Sequence, residues 1–258
     1  DTTGAFSRTY DLSCPASLDG AEVTVEGLEA TPTDVIVRVI SPSGRAQTGR
    51  VLAADPRFTV EAAPTTADVA LTYTALGMQH ILLGLDHVLF VFALLLLIRK
   101  RSTLLWTITA FTAAHSITLA LAALGFADVP GPAVEALVAL SIVFLAAEVV
   151  KRRSGAEAAR LSPPVVAFAF GLLHGLGFGG ALMRIGLPEG EIPLALISFN
   201  VGVELGQLAI VVVALLVTTS LRRLLALPLG GLRPSLAYAI GIVAAVWFAQ
   251  RIVGIVAA

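Results

Sequence analysis

From residue 78 to its end the chain alternates long apolar runs with short polar breaks, and that rhythm leaves few folds open to it. A helix crosses the hydrocarbon core of a bilayer with about 20 apolar residues, because in lipid every backbone N–H and C=O must be satisfied within the segment. Six segments reach that length, at roughly 78–98, 103–125, 133–150, 164–186, 193–218 and 234–256. Composition agrees: 57% of the residues are hydrophobic and 14% charged, against about 45–50% and 25% in soluble domains. The expectation is a polytopic α-helical membrane protein with six transmembrane helices over residues 78–258. Residues 1–77 read differently, with ten Asp or Glu against five Arg, whereas residues 78–258 hold twelve Lys or Arg against eight acids. Two regions in different solvents follow, and nothing in the balance points to nucleic acid.

The first region reads as a small all-β domain over residues 1–65, joined to the membrane by a linker at 66–77. Residues 21–26 (AEVTVE) and 34–40 (DVIVRVI) are β-branched with partial alternation, the runs at 49–52 and 58–61 add two further strands, and Gly27, Pro32, SPSG at 41–44 and Asp55-Pro56 supply turns. Cys14 is the single cysteine, which excludes an internal disulfide and suits a small buried residue better than a metal-binding thiol. The domain contains no evident catalytic constellation, so recognition of a protein partner, docking or capping is its expected use.

Charge sets the orientation. Arg99-Lys100-Arg101 follows the first apolar segment, Lys151-Arg152-Arg153 follows the third, and Arg222, Arg223 and Arg233 follow the fifth, whereas the loop from the second to the third has no Lys or Arg. By the positive-inside tendency the odd segments end in the cytoplasm. The β domain and the C-terminus then lie outside the inner (plasma) membrane, with a signal peptide removed. Residues 221–232 are too short to span and read as an interfacial helix or loop.

Within these apolar runs, ionisable residues recur, although each costs several kcal/mol in lipid and is tolerated mainly where it faces a bundle interior or a water-filled cavity. The first segment carries His80, Asp86 and His87, the second His115 and Ser116, the fourth His174, and the fifth Asn200, Glu204 and Gln207. Counted from the outer ends, Asp86, His87, His115, His174 and Glu204 all fall at depths of ~12–18 Å, near the middle of the core. His80 and His87 are seven apart, and Asn200, Glu204 and Gln207 follow at four and three, so each set shares a helix face. Gly171, Gly175 and Gly179, and Gly202 with Gly206, allow close helix approach. In the third segment Glu135 is interfacial or part of an outer vestibule, and Glu148 pairs with the basic run or marks an exit path. Gln250 and Arg251 are close enough to an outer end to snorkel. Four imidazoles and two carboxylates at one depth suit a borderline divalent cation such as nickel, cobalt or zinc; a proton relay or a purely structural hydrogen-bond network is the alternative.

The motifs HILLGLDH, AAHSITL, GLLHGLGF and FNVGVELGQ resemble the HupE/UreJ family of membrane proteins over most of residues 77–210. The resemblance implies a nickel or cobalt permease, with a metal role for His80, Asp86 and His87 and, by extension, His174; the β domain is similar to the extracytoplasmic extension of one branch of that family. On this reading His80 and Glu135 form an outer vestibule and Asp86, His87, His115, His174 and Glu204 the central site, supported by Ser116, Asn200 and Gln207. Two other functions stay open. A zinc held by three histidines, with Glu204 or Asp86 as general base, makes an intramembrane hydrolase, and a closed bundle with a partner-binding β domain makes a metal sensor or assembly factor.

Overall fold

The computed structural model describes residues 18–30, 34–40, 46–62, 64–127, 129–154, 162–185, 191–225 and 231–257. Cys14 and the SPSG turn lie outside them. The chain divides into two compact units, Asp1–Thr65 and Thr66–Ala258.

In the first unit, strands β1 (Glu22–Thr24) and β4 (Arg57–Thr59) pair antiparallel, as do β2 (Val35–Ile40) and β3 (Ala46–Val51), with a 3-10 turn at Leu28–Ala30. Alternation in β2 turns Val35, Val37 and Val39 inward and leaves Ile36 and Ile40 exposed. The small core gathers Leu28, Val51 and Val60. Gly49 in β3 is required by packing: a Cβ there would run into the Phe58 ring, which lies across it and ties β4 to β3. The exposed Asp34–Arg50 ion pair adds little.

Among the described residues the second unit is built of helices: α1 (Thr66–Leu83), α2 (Leu85–Leu97), α3 (Arg101–Ala123), α4 (Gly131–Ser154), α5 (Pro163–Ile185), α6 (Ile192–Leu225) and α7 (Arg233–Val256). Helices α4 to α7 each carry proline in the first turn, at Pro132, Pro163, Pro193 and Pro234, where its missing N–H costs nothing and its fixed φ favours helix. At the other end of α3, Gly125 takes a φ of 78°. Its N–H reaches the Ala122 carbonyl at 3.1 Å while the Phe126 N–H reaches Leu121 at 2.8 Å, which closes the helix.

Four helices, α3, α4, α6 and α7, are long and apolar enough to cross a membrane, and α1 with α2 makes a fifth crossing if the bent pair is counted as one. Helix α5 carries a shorter apolar stretch, Pro163–Gly179. Against the six spans expected, four or five among the described residues meet the length and composition of a crossing; the sequence differs from this outcome in three further places. The segment 78–98, expected as one straight span, is two helices meeting at 71° across Gly84. Residues 66–77, expected as a linker, are the first turns of α1. There Val69, Tyr73 and Gly77 are buried, so packing on a neighbour extends the helix beyond what its apolar run predicts. Residues 221–225, expected as an interfacial loop or helix, continue α6.

Two helix pairs are packed backbone to backbone. A Cβ at Gly77 of α1 would meet the Phe199 carbonyl of α6, and one at Gly202 would meet the Thr74 carbonyl in return. In the second pair, Gly171 and Gly175 of α5 abut the Phe111 and His115 carbonyls of α3, and Gly179 abuts Ala122. Lipid supplies no hydrophobic drive between helices, so such close approach is what holds them. Gly77→Ala should therefore destabilise the bundle by about 1–3 kcal/mol. Gly254→Ala, with nothing within 4 Å of its Cβ position, should not. Thermal unfolding in detergent, followed by loss of helicity, checks the pair; equal melting temperatures would contradict it.

Candidate metal centre

The break at Gly84 builds the site. Seven residues of continuous helix would separate His80 from His87 by about 10.5 Å along the axis. The bend instead brings their rings to 4.6 Å between centroids. Gly84 is the N-cap of α2, with φ −75° and ψ 99°, and these angles suit any residue. Space is what demands glycine, since a Cβ would lie 2.7 Å from the His80 carbonyl oxygen, 2.8 Å from His87 Nδ1 and 3.0 Å from Asp86 Oδ1.

Asp86 sits in the first turn of α2, where the helix dipole favours a negative charge. Its Oδ1 accepts from the His87 backbone N–H and from His87 Nδ1, both at 2.9 Å. A carboxylate only accepts, so Nδ1 carries the proton and the lone pair of His87 is on Nε2. The same logic applies on α3 and α5. Asn200 Nδ2 donates to the Leu196 carbonyl at 2.8 Å, which turns Oδ1 toward His115 Nδ1 at 3.4 Å. Ser141 Oγ donates to the Val138 carbonyl at 2.6 Å and so receives His174 Nε2–H at 3.3 Å. The bare nitrogens are then Nε2 of His115 and Nδ1 of His174. These atoms, with Nε2 of His80 and of His87, are buried and have no hydrogen-bond partner among the described residues.

Ligand atoms of His80, His87 and His115 lie within 4.8 Å of one another, and so do those of Asp86, His87 and His174. The two groups share His87. A buried polar atom left unpaired costs about 1–3 kcal/mol, and four in one place, three of them on imidazoles oriented by a second partner, make a donor set that could hold a metal ion.

The cluster borders a cavity. An open cavity of about 520 Å³ is lined by His80, Asp86, His87, His174 and Phe178, by Glu135, Trp247, Gln250 and Arg251, and by small or apolar residues that include Leu83, Leu85, Val134 and Val138. Glu135 Oε2 pairs with Arg251 Nε at 2.7 Å. On the far side Phe90 and Phe111, both fully buried, stand 4.8 Å apart and 5.1 and 5.0 Å from the His174 ring. The imidazoles thus rest on an aromatic floor.

The structure brings His80, Asp86, His87, His115 and His174 together and leaves Glu204 outside both groups. The Glu204 carboxylate accepts from Thr109 Oγ1 at 2.7 Å, and Gln207 Oε1 accepts from Thr112 Oγ1 at 3.0 Å. Asn200 holds His115, whereas the Ser116 hydroxyl is spent on the Thr112 carbonyl at 2.7 Å. His80, assigned from sequence to a vestibule, is a member of the cluster, while Glu135 lines the cavity. Arg251, expected to snorkel, pairs with Glu135 instead. Ser141 went unassigned because a hydroxyl in an apolar helix usually bonds its own backbone. It does so here, and serves His174 as well.

Residues 55–251 match the family model described as HupE / UreJ protein. The chain belongs to the HupE/UreJ family. No curated protein matches it, and no solved structure does. The match takes in α1 to α6, most of α7 and every residue of the cluster of this HupE/UreJ protein, and it leaves β1, β2 and β3 outside. Membership implies a metal-transport or metal-accessory role.

Two substitutions test how the site is held. Gly84→Ala should displace the Asp86–His87 pair and weaken cobalt binding by about 10–100-fold, the range for changes that disorient a ligand. Ser141→Ala should weaken it less, because His174 serves only one of the two groups. Titration followed by the cobalt ligand-field spectrum reads both; parental affinity in Gly84→Ala would show that the break does not position ligands.

Proposed function

We propose that this HupE/UreJ protein is a permease for a divalent transition-metal cation of the nickel or cobalt type, zinc being the third borderline ion the donor set suits. The observation that carries the reading is the convergence of four buried imidazole nitrogens with no hydrogen-bond partner among the described residues, beside an open cavity that His80, Asp86, His87 and His174 line. A tightly held structural ion would be enclosed; a cargo site needs an approach. Six crossings, with α1 and α2 together forming the first and α5 completing the set, place the basic ends of α2, α4 and α6 in the cytoplasm by the positive-inside tendency. The cavity mouth then faces outward, together with the first unit and the C-terminus, in the inner membrane. A divalent cation moving from that side into a negative interior gains about 4.6 kcal/mol per 100 mV, which supplies a driving force without nucleotide.

Asp86 matters by its charge, which offsets the cost of desolvating a divalent ion. Asp86→Asn should weaken binding about 10–100-fold despite equal size. His87→Ala, which removes the member common to both groups, should lose more than His80→Ala or His174→Ala. Glu148→Gln should leave the affinity near the parent value, because Glu148 faces Arg152 at 3.1 Å and belongs to neither group. Calorimetry in detergent with nickel, cobalt and zinc, paired with uptake in cells and normalised to folded protein, is the measurement. If Asp86→Asn and His174→Ala bind and accumulate all three ions like the parent, the permease reading fails. Zinc retained through purification with no uptake would instead favour the hydrolase.

Every ligand of the cluster follows residue 65, so removing residues 1–65 should leave metal affinity unchanged in the membrane-inserted remainder. Loss of binding from a folded bundle would place a ligand in the first unit.

A further inference from the structure

At the opposite end of the bundle from the metal centre lies a larger cavity, about 810 Å³, into which four cationic side chains open: Arg99, Lys100, Arg152 and Arg233. They come from the α2–α3 connection, the end of α4 and the start of α7. Among the described residues no carboxylate lines it. Arg152 is paired with Glu148, but among the described residues Arg99, Lys100 and Arg233 form no salt bridge. Three helices begin at the same place, with Thr103 of α3, Pro163 of α5 and Pro234 of α7 in the lining. Neither α3 nor α7 has a side-chain cap, so their first N–H groups and positive dipole ends add to the field of the cations. The positive-inside tendency explains why basic residues lie at this end, but it does not require four of them to surround one cavity.

The remaining wall is apolar, with Leu96, Leu97 and Val149 below the charges. A second cavity of about 640 Å³ shares Arg99 and Arg233 with the first and continues along the apolar side chains of Phe92, Leu95, Leu215 and Leu236. A soluble anion has no use for such walls. A molecule with a phosphate at one end and acyl chains at the other uses both, and in a membrane-embedded chain it is present at high local concentration. We propose that the two cavities form one site for an anionic phospholipid, its phosphate held among Arg99, Lys100, Arg152 and Arg233 and its acyl chains lying along α2 and α6. This rests on the chain being a membrane protein and not on the identity of its metal.

The test uses the full chain, delipidated in a zwitterionic detergent and then placed in nanodiscs of phosphatidylcholine with or without phosphatidylglycerol. Phosphatidylglycerol should bind in preference and raise the melting temperature, and inorganic phosphate in phosphatidylcholine discs should do neither. Each cation near a lipid surface is worth about 1 kcal/mol, so R99Q/R233Q should bind phosphatidylglycerol roughly 30-fold more weakly and K100Q roughly fivefold. R99K/R233K should keep most of the affinity. Metal affinity should be unchanged in all of them, which separates failure here from failure of the permease reading. Should the double glutamine variant not fold, K100Q and R99K/R233K still give the comparison. Parental lipid affinity in the folded glutamine variants, or an equal effect of inorganic phosphate, would overturn the proposal.

Discussion

A helix that stays continuous cannot put residues seven apart in contact, and the candidate metal centre depends on the chain's escape from that limit at Gly84. The break costs the hydrogen bonds of one turn, and the ends it exposes are used. The Gly84 N–H still reaches the His80 carbonyl at 3.0 Å, Val88 N–H returns to Gly84 at 3.0 Å, and Asp86 takes the His87 N–H in the first turn of α2. Irregular backbone at membrane depth is tolerable where protein surrounds it or it lines a cavity. Gly84 meets that condition, with its neighbours Asp86 and His87 forming cavity wall. The same residue gives His80 and His87 a common focus and holds space for the carboxylate that fixes the His87 tautomer.

The bend would be useless if the other ligands drifted. His115 and His174 are carried by α3 and α5, the pair locked together through Gly171, Gly175 and Gly179, and His80 by α1, locked on α6 through Gly77 and Gly202. Close backbone contact leaves such pairs little room to slide, so these imidazoles are placed by the packing of their helices, and His115 and His174 are each turned by one hydrogen bond. The short α2, which packs against α1, α4, α6 and α7, brings the remaining two ligands. Small residues thus act at a distance, by setting how far apart the helices that carry histidine can be.

Much of this was legible in the sequence because depth in a membrane is counted in residues from a polar end. That count puts His87, His115 and His174 in one layer whatever the rotation of each helix, and the structure finds them in one cluster. Rotation is harder to read. Asn200, Glu204 and Gln207 share a face in the sense of spacing, yet a face about 100° wide has two edges; Asn200 turns to His115 while Glu204 turns to Thr109. The break at Gly84 was illegible for a different reason. A glycine inside an apolar run is as compatible with a straight helix as with a bent one, and only the collision its missing Cβ avoids, which is a tertiary fact, decides between them. The extension of α1 back to Thr66 has the same origin, since Val69 and Tyr73 are helical through burial more than through local pattern.

The two faces of the cluster differ in a way that bears on how an ion would leave it. On the open side the cavity wall mixes the polar side chains of the cluster with apolar ones such as Leu85, Val134 and Val138, and the lining carries an ion pair with both partners about half exposed. On the closed side the ligands meet Phe90 and Phe111, which offer a cation no lone pair, and beyond them Phe170 stands 6.1 Å from Phe90. Phe90 is on α2, one turn from Asp86 and His87. Two ligands and half of the floor therefore belong to one thirteen-residue helix whose N-terminal joint is Gly84. A displacement of α2 that carried Phe90 away from Phe111 would carry Asp86 and His87 with it, because all three belong to that one helix.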